Sequence, residues 1–430
     1  MSEPSKADSL LNREIGRLGV AAIAMNGVIG SGIFALPAVA IAQAGAFSPW
    51  MFVLCGVLIL SVALTFARIA GFFDITGGPI VYTSHAFGRF IGFQTGMLIY
   101  ISRVAAIAAS ANLIVSHAAA LWPVLADGMP RAGALGLFLV AITWLNAAGV
   151  RAGMAGIYIV SVLKLAPLVL LILFGVPEIR WGVVAGASPI GLDRMGETML
   201  VLMYAFIGFE FSLIAAGETR DARAAIPKAL IRTVVAIAVC YALIQLVVVS
   251  VAPDIGDSKT PLVEVAGRLL GPWGALLLGL GVVFSISGGS MTSLLTAPRL
   301  TFALARDGSL PAWLGKVDAR SGAPVNSILF CGALSFVLAV GQQFVWLTVF
   351  ATFVRLVTYV LCIASLPVIE RSMTAQPGQF RLVGGLAIPA LALVLTLWLL
   401  SHTALDNVVI ASAVAAAGTI VFLGCTRRAR

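Results

Sequence analysis

Apolar residues run along this chain in long stretches with few charges among them. A run of about 20 apolar residues is long enough to cross a bilayer as a helix. Twelve such runs occur, with cores at Leu18–Gln43, Ser48–Ala70, Phe90–Leu121, Ala132–Ala148, Ala152–Val176, Thr198–Ala216, Ala229–Val251, Trp273–Ala305, Val325–Val340, Phe344–Ile369, Val383–Ser401 and Val408–Cys425. They predict an all-α integral membrane protein of twelve transmembrane helices. No long linker or low-complexity segment divides residues 1–430, so a single embedded domain is expected. The first run is too long, and too poor in small residues at a cleavage position, to be a signal peptide.

Two runs are interrupted. In Met25-Asn26-Gly27-Val28-Ile29-Gly30-Ser31-Gly32-Ile33-Phe34, three glycines fall within six positions and should break the helix near its middle. In lipid an unpaired backbone group costs several kcal/mol, so a broken helix survives only where it lines a protected cavity. About 180 residues later, Met203-Tyr204-Ala205-Phe206-Ile207-Gly208-Phe209-Glu210 places a glycine and an acid inside the sixth run. Each glycine alone is compatible with close helix packing. As a pair, in the first and sixth of twelve helices, they predict two inverted five-helix repeats, at about 18–176 and 195–369, with two further helices at about 383–425.

Composition agrees. Sixty per cent of the residues are hydrophobic and 10% charged, which excludes an ordinary soluble domain. The net charge of +9 does not point to nucleic acid. With both termini cytoplasmic, one side carries 19 of the Lys/Arg residues and the other five: Arg131, Arg180, Arg194, Lys259 and Arg268. That asymmetry orients a membrane protein. The five cysteines and three histidines are scattered, without metal-ligand spacing, so no metal or cofactor is expected. No Walker motif is present, so nucleotide does not drive the protein directly.

Local motifs then carry a resemblance. Gly30-Ser31-Gly32-Ile33-Phe34, Gly77-Gly78-Pro79-Ile80-Val81-Tyr82 with Ala86-Phe87-Gly88, Phe206-Ile207-Gly208-Phe209-Glu210 with Glu218-Thr219-Arg220 and Ile226-Pro227-Lys228-Ala229, Ala303-Leu304-Ala305-Arg306-Asp307-Gly308-Ser309-Leu310-Pro311, and Ala323-Pro324-Val325-Asn326 follow one another along the chain. In this order they resemble the amino acid–polyamine–organocation (APC) superfamily of transporters, with the LeuT-type fold. The resemblance runs nearly end to end. It departs at Ser287-Gly288-Gly289-Ser290-Met291-Thr292 in the eighth run, where many relatives carry other small or polar residues.

The resemblance implies a secondary active amino acid transporter, a proton-coupled symporter or an exchanger, working by alternating access in a bacterial inner membrane with cytoplasmic termini. Its partners are then an amino acid, protons and the bilayer. The bare N–H groups at the start of the second half of helix one suit a carboxylate, placing it at Gly30, Ser31 and Gly32. The carbonyls at Ile29, Phe206, Ile207 and Gly208 suit an ammonium, and Phe34, Tyr100, Phe209 and Glu210 are candidates for gating or support. Tyr82, Tyr204 and Tyr359 are further aromatics that could line a pocket.

Three cations lie where hydrocarbon is expected: Arg103, Lys164 and Arg355. Such residues are functional candidates with an interior partner. By resemblance Lys164 lies beside the broken part of helix one, in the place of a sodium ion. Desolvation favours its neutral form and carbonyl contacts its charged form, so a proton carrier and a charged strut are both open. Arginine stays charged, and the only acid at comparable depth is Glu210. The surplus charge predicts a preference for acidic substrates at Arg103 and Arg355. The structural alternative has each arginine held by helix-end carbonyls, by Glu210 or by water. Three buried cations against one acid speak against a polyamine or organic cation, and a neutral amino acid exchanger is the nearer alternative. An intramembrane enzyme would need more than Ser161 beside Lys164, and a channel would need a ring of carbonyls or charges that is absent here. Nothing in the sequence assigns an oligomeric state or a partner subunit.

Overall fold

The computed structural model describes residues 16–73, 78–148, 154–214, 219, 221–318, 323–374, 379–380, 382 and 384–428. Gly77, Glu218 and Arg220 of the sequence motifs, and the basic residues of both chain ends beyond 16 and 428, lie outside them. The regular elements are helices: α1 (Arg17–Val28), α2 (Gly32–Ala44), α3 (Ser48–Ala70), α4 (Pro79–Phe87), α5 (Arg89–Leu121), α6 (Gly128–Ala147), α7 (Met154–Gly175), α8 (Trp181–Ala185), α9 (Leu192–Leu202), α10 (Phe211–Ile214), α11 (Ala222–Val251), α12 (Pro261–Arg306), α13 (Val325–Gly341), α14 (Phe344–Ser372), α15 (Ala387–Ser401) and α16 (Leu405–Arg428).

Every one of the twelve apolar runs contains helix, yet only eight helices among the described residues are long and apolar enough by themselves to cross a membrane. The shortfall has physical causes. The first run is split between α1 and α2, and the sixth breaks into α9, a 3-10 turn and α10. Helices α13 and α15 are 17 and 15 residues long, below a full span. Within the motifs, Pro79-Ile80-Val81-Tyr82 and Ala86-Phe87 lie on the nine-residue helix α4. Pro79 starts it with φ already helical, and Gly78 (φ 51°) and Gly88 (φ 86°) turn the chain sharply at either end.

Buried apolar residues form two large cores and a small third one, where Phe93 of α5 meets Leu304 of α12 with Leu310 and Leu314. One large core is built on α1, α2, α3, α9 and α11, with Phe52, Phe66, Phe206, Phe209 and Tyr241 at its centre. It also takes in part of α7 and the first half of α12. The other large core joins α5, α6 and α13, with Val104, Ala108, Leu139 and Cys331. Helix α14 contributes to both, through Leu356 and Tyr359 on one side and Leu347 and Val354 on the other. Large apolar side chains stand exposed along α6, α7, α13 and α16, among them Leu137, Val162, Val337 and Val409. A lipid-facing surface has this character. Several buried hydroxyls bond back to their own helices, as Thr65 does to the Ser61 carbonyl at 2.9 Å and Thr352 to that of Thr348 at 2.8 Å, so these add no unpaired polar group to the core.

Outside the apolar belt, Arg268 grips Asp254 with two hydrogen bonds at 2.6 and 2.7 Å. That grip holds the Asp254 carboxyl down at about 2. The pair ties the start of α12 to the loop leaving α11.

Candidate functional site

Helix α1 stops at Val28, because Ile29 is extended (φ −75°, ψ 90°), and α2 begins at Gly32. Ser31 stands at the start of α2 and makes no side-chain cap, so none of the first N–H groups of α2 is satisfied by a capping side chain. The opposite end of the break is differently treated. Lys164, fully buried in α7, donates from Nζ to the carbonyls of Ile29 at 2.7 Å and Asn26 at 3.2 Å. A cation at a helix C-terminus offsets the negative end of the dipole and satisfies two carbonyls that no helix continues to bond. Asn26 itself bonds to the Ser161 hydroxyl, one turn before Lys164.

The second break is made by Gly208. Its φ of 122° is open to glycine and strained for other residues. A Cβ there would collide with the main chain of Gly27, and a Cβ on Gly27 would strike the Gly208 carbonyl. The two interrupted helices therefore meet backbone to backbone, which is why glycine occupies both positions. Glu210 closes the second break: Oε2 accepts from the Gly208 N–H at 3.2 Å and from the Tyr359 hydroxyl at 3.1 Å, and Oε1 accepts from Arg355 Nη1 at 2.5 Å. Arg355 also donates from Nε to the Ser102 hydroxyl at 3.3 Å.

Between the breaks lies a cavity of about 80 Å³. A water needs roughly 10–15 Å³ measured in this way, so the space admits several waters or the polar head of a small solute. One wall is Asn26, Gly27, Val28, Gly30, Ser31 and Gly32 with Tyr204, Ile207, Gly208 and Phe211. The facing wall comes from α5, α12 and α14. Ser31, Tyr204 and Ser110 form a hydroxyl cluster, with Ser31 Oγ 3.0 Å from Tyr204 Oη and 3.2 Å from Ser110 Oγ.

Of the positions expected from sequence, Gly30, Ser31, Gly32, Ile207, Gly208, Arg103 and Arg355 lie together on this cavity. Ile29 and Phe206 do not. The Ile29 carbonyl is engaged by Lys164, and the Phe206 ring packs into the first core, 5.2 Å from the Tyr241 ring and 6.3 Å from that of Phe52. Phe34, Tyr100 and Phe209 are buried packing residues away from the lining, and so are Tyr82 and Tyr359. Tyr204 is the member of the aromatic set that reaches the cavity. Gly32 is also needed for a different reason from Gly30. An added Cβ on Gly32 would come within 2.7 Å of the Ala205 Cα, whereas one on Gly30 would meet nothing within 4 Å.

Several lining residues escape a search for charge and glycine. Arg103, Ala106, Ile107 and Ser110 on α5 are spaced three, four and seven apart, one face of a helix, and extending the stripe from Arg103 would have found them. On α12, Gly289, Ser290 and Thr292 belong to the stretch where the chain departs from the family pattern, and with Ser293 they are spaced one, three and four apart.

The two arginines differ. Arg355 is paired with Glu210, and both are almost fully buried. Arg103 is 2% exposed, donates from Nη1 to Thr296 Oγ1 at 2.6 Å, and lies 4.1 Å from the centre of the Phe211 ring. Its Nε and Nη2 have no hydrogen-bond partner among the described residues.

The amino acid permease family matches residues 15–424 of the chain. The branched-chain amino acid permease of Bacillus subtilis is 24% identical, the match covering 92% of this chain and 89% of that one. An uncharacterized transporter of Mycobacterium tuberculosis is 29% identical over 100% of this chain and 95% of its own length. The serine/threonine exchanger of Bacillus subtilis is 24% identical, with 98% of each chain covered. A bundle of apolar helices with two backbone breaks on one central cavity, matched nearly end to end, identifies the chain as a member of the amino acid permease family within the APC superfamily, a multi-pass membrane protein of amino acid transport and not an enzyme.

Proposed function

We propose that this protein is a secondary active transporter that carries an amino acid by alternating access through the cavity between the two helix breaks. The observation that carries the reading is the uncapped N-terminus of α2, where Gly30, Ser31 and Gly32 form part of the cavity wall. The α-carboxylate takes the N–H groups of the Gly30–Gly32 segment, with the Ser31 hydroxyl as a further donor. The α-ammonium takes carbonyls of the second break around Ile207 and Gly208. Ile29 and Phe206 have no direct part in this, one because Lys164 holds its carbonyl and the other because it faces the core.

The chain spans the membrane twelve times as two inverted five-helix repeats and two added helices, with its termini in the cytoplasm of a bacterial cell. The two larger cores supply the moving parts: a bundle of α1–α3 and α9–α11 rocks against a scaffold of α5, α6, α13 and the second half of α12, with α14 packed against both. Lys164 couples the motion to a proton, since losing its charge weakens its hold on the carbonyls of Asn26 and Ile29, which it now ties to α7. The substrate preference is for acidic side chains. Arg103 supports it, and Arg355 does not, because Glu210 already neutralises it. A second reading, a small neutral amino acid, is favoured by the hydroxyl cluster of Ser31, Ser110 and Tyr204.

Competition for uptake into proteoliposomes separates the two. Glutamate and aspartate outcompete serine, threonine and leucine if Arg103 reads the side chain. The reverse order assigns the neutral substrate, and no competition by any amino acid removes the transport reading altogether.

A further inference from the structure

The donors left over on Arg103 call for a ligand of their own. Nε and Nη2 lie along one edge of the guanidinium, the edge that receives two oxygens of an oxyanion or a single halide. That edge belongs to a residue that is 2% exposed and on the cavity wall, while its remaining nitrogen is held by Thr296 and its face is covered by Phe211. The acid nearest in kind, Glu210, is spent on Arg355, Tyr359 and the Gly208 N–H. Ser290, also 2% exposed and on the wall of the same cavity, likewise has a hydroxyl without a partner among the described residues. A buried guanidinium edge and a buried hydroxyl are together a donor set for an anion. The guanidinium repels a cation, and the Ser290 hydroxyl can donate to an anion beside it.

We propose that Arg103 and Ser290 form a seat for one monovalent anion beside the amino acid. The substrate's own side-chain carboxylate fills it when there is one, and free chloride fills it when there is none. The inference rests on the cavity being the amino acid site. Its physical basis is the closure that alternating access requires: closing the cavity over an unneutralised guanidinium buries an unpaired charge, so each closed state favours an anion at Arg103. Neutral amino acids are then carried with chloride, and acidic ones replace it.

Thermal unfolding of the full-length protein in lipid nanodiscs tests the seat directly, with sodium chloride replacing sodium gluconate at constant ionic strength and no amino acid present. The expected result is a saturable rise in Tm with chloride. Arg103→Gln removes the rise, and Ser290→Ala, which keeps the arginine and the fold, weakens the apparent Kd for chloride by about tenfold, the equivalent of one hydrogen bond to a charged ligand. Glutamate raises the apparent Kd for chloride and serine leaves it unchanged. The proposal is overturned if chloride and gluconate give the same Tm, if Ser290→Ala leaves the chloride Kd unchanged, or if serine displaces chloride as well as glutamate does. The chloride arm contains no amino acid, so its failure leaves the transport reading standing. If instead no amino acid shifts the Tm while chloride still does, the transport reading fails and takes with it the shared use of the seat by substrate carboxylate and chloride, leaving a chloride site alone.

Discussion

Single atoms decide most of what happens at the two breaks. Gly208 cannot accept a side chain without moving Gly27, and its φ of 122° adds strain of about 1–3 kcal/mol for any other residue. Gly208→Ala should therefore lower the unfolding temperature and the yield of folded protein, whether or not ligand is present. Gly30 has open space beside it, so Gly30→Ala should keep the unliganded stability of the wild type while weakening amino acid binding. The paired and unpaired arginines separate just as sharply. Arg355→Ala strands Glu210 in the core, at a cost of about 3–5 kcal/mol, and Arg355→Met with Glu210→Leu should recover most of it. Melting curves of the single and double variants check this. A single variant as stable as the wild type would mean that the pair is not closed in the membrane. Glycine spacing and intramembrane charge were readable from the sequence at this scale. Which arginine Glu210 would choose was not, because a contact 145 residues apart leaves no local trace.

The breaks do their work as elements. An interrupted helix exposes a positive end and a negative end within a few ångströms, and the chain treats the two differently: the N-terminus of α2 is left bare and the C-terminus of α1 is tied by Lys164. Replacing Lys164 by alanine frees two carbonyls and the tie to α7. If the lysine carries the coupling proton, Lys164→Ala should abolish the pH dependence of uptake and the accumulation of substrate against a gradient, while counterflow persists. Accumulation with the wild-type pH profile would reduce the lysine to a strut. The first break was legible because three glycines interrupt an apolar run that has no reason to be interrupted. The main part of α12 was legible too, since the run Trp273–Ala305 starts just past the bend at Gly271 (φ 67°) and stops one residue short of Arg306. The turns before that bend were not, because Glu264 and Arg268 interrupt their apolar character. The two pocket walls on α5 and α12 were legible only as helical stripes, and only once one residue of each stripe was known to face inward.

At the scale of the whole molecule, the two larger cores are the parts that the proposed rocking motion moves against each other, and helices of both line the cavity. The sequence showed the number of apolar runs and their order, which are local properties. The proposed orientation puts the α11–α12 loop outside the cell and the α12–α13 loop inside. A single cysteine replacing exposed Asp257 should react with an impermeant maleimide in intact cells, and one replacing exposed Lys316 only after permeabilisation. The opposite pattern would invert the topology.

The central claim is that the cavity between the breaks holds the amino acid, and equilibrium binding tests it most directly. Purified wild type and Gly30→Leu are melted with each of the twenty amino acids. A ligand at 100 times its Kd adds about 2.7 kcal/mol of stability, which a melting curve resolves easily. The account predicts that at least one amino acid, glutamate or aspartate first, stabilises the wild type. It also predicts that Gly30→Leu, folded and as stable as the wild type without ligand, gains nothing from any of them. Equal stabilisation of both proteins by the same amino acid would place the substrate somewhere else and contradict the account.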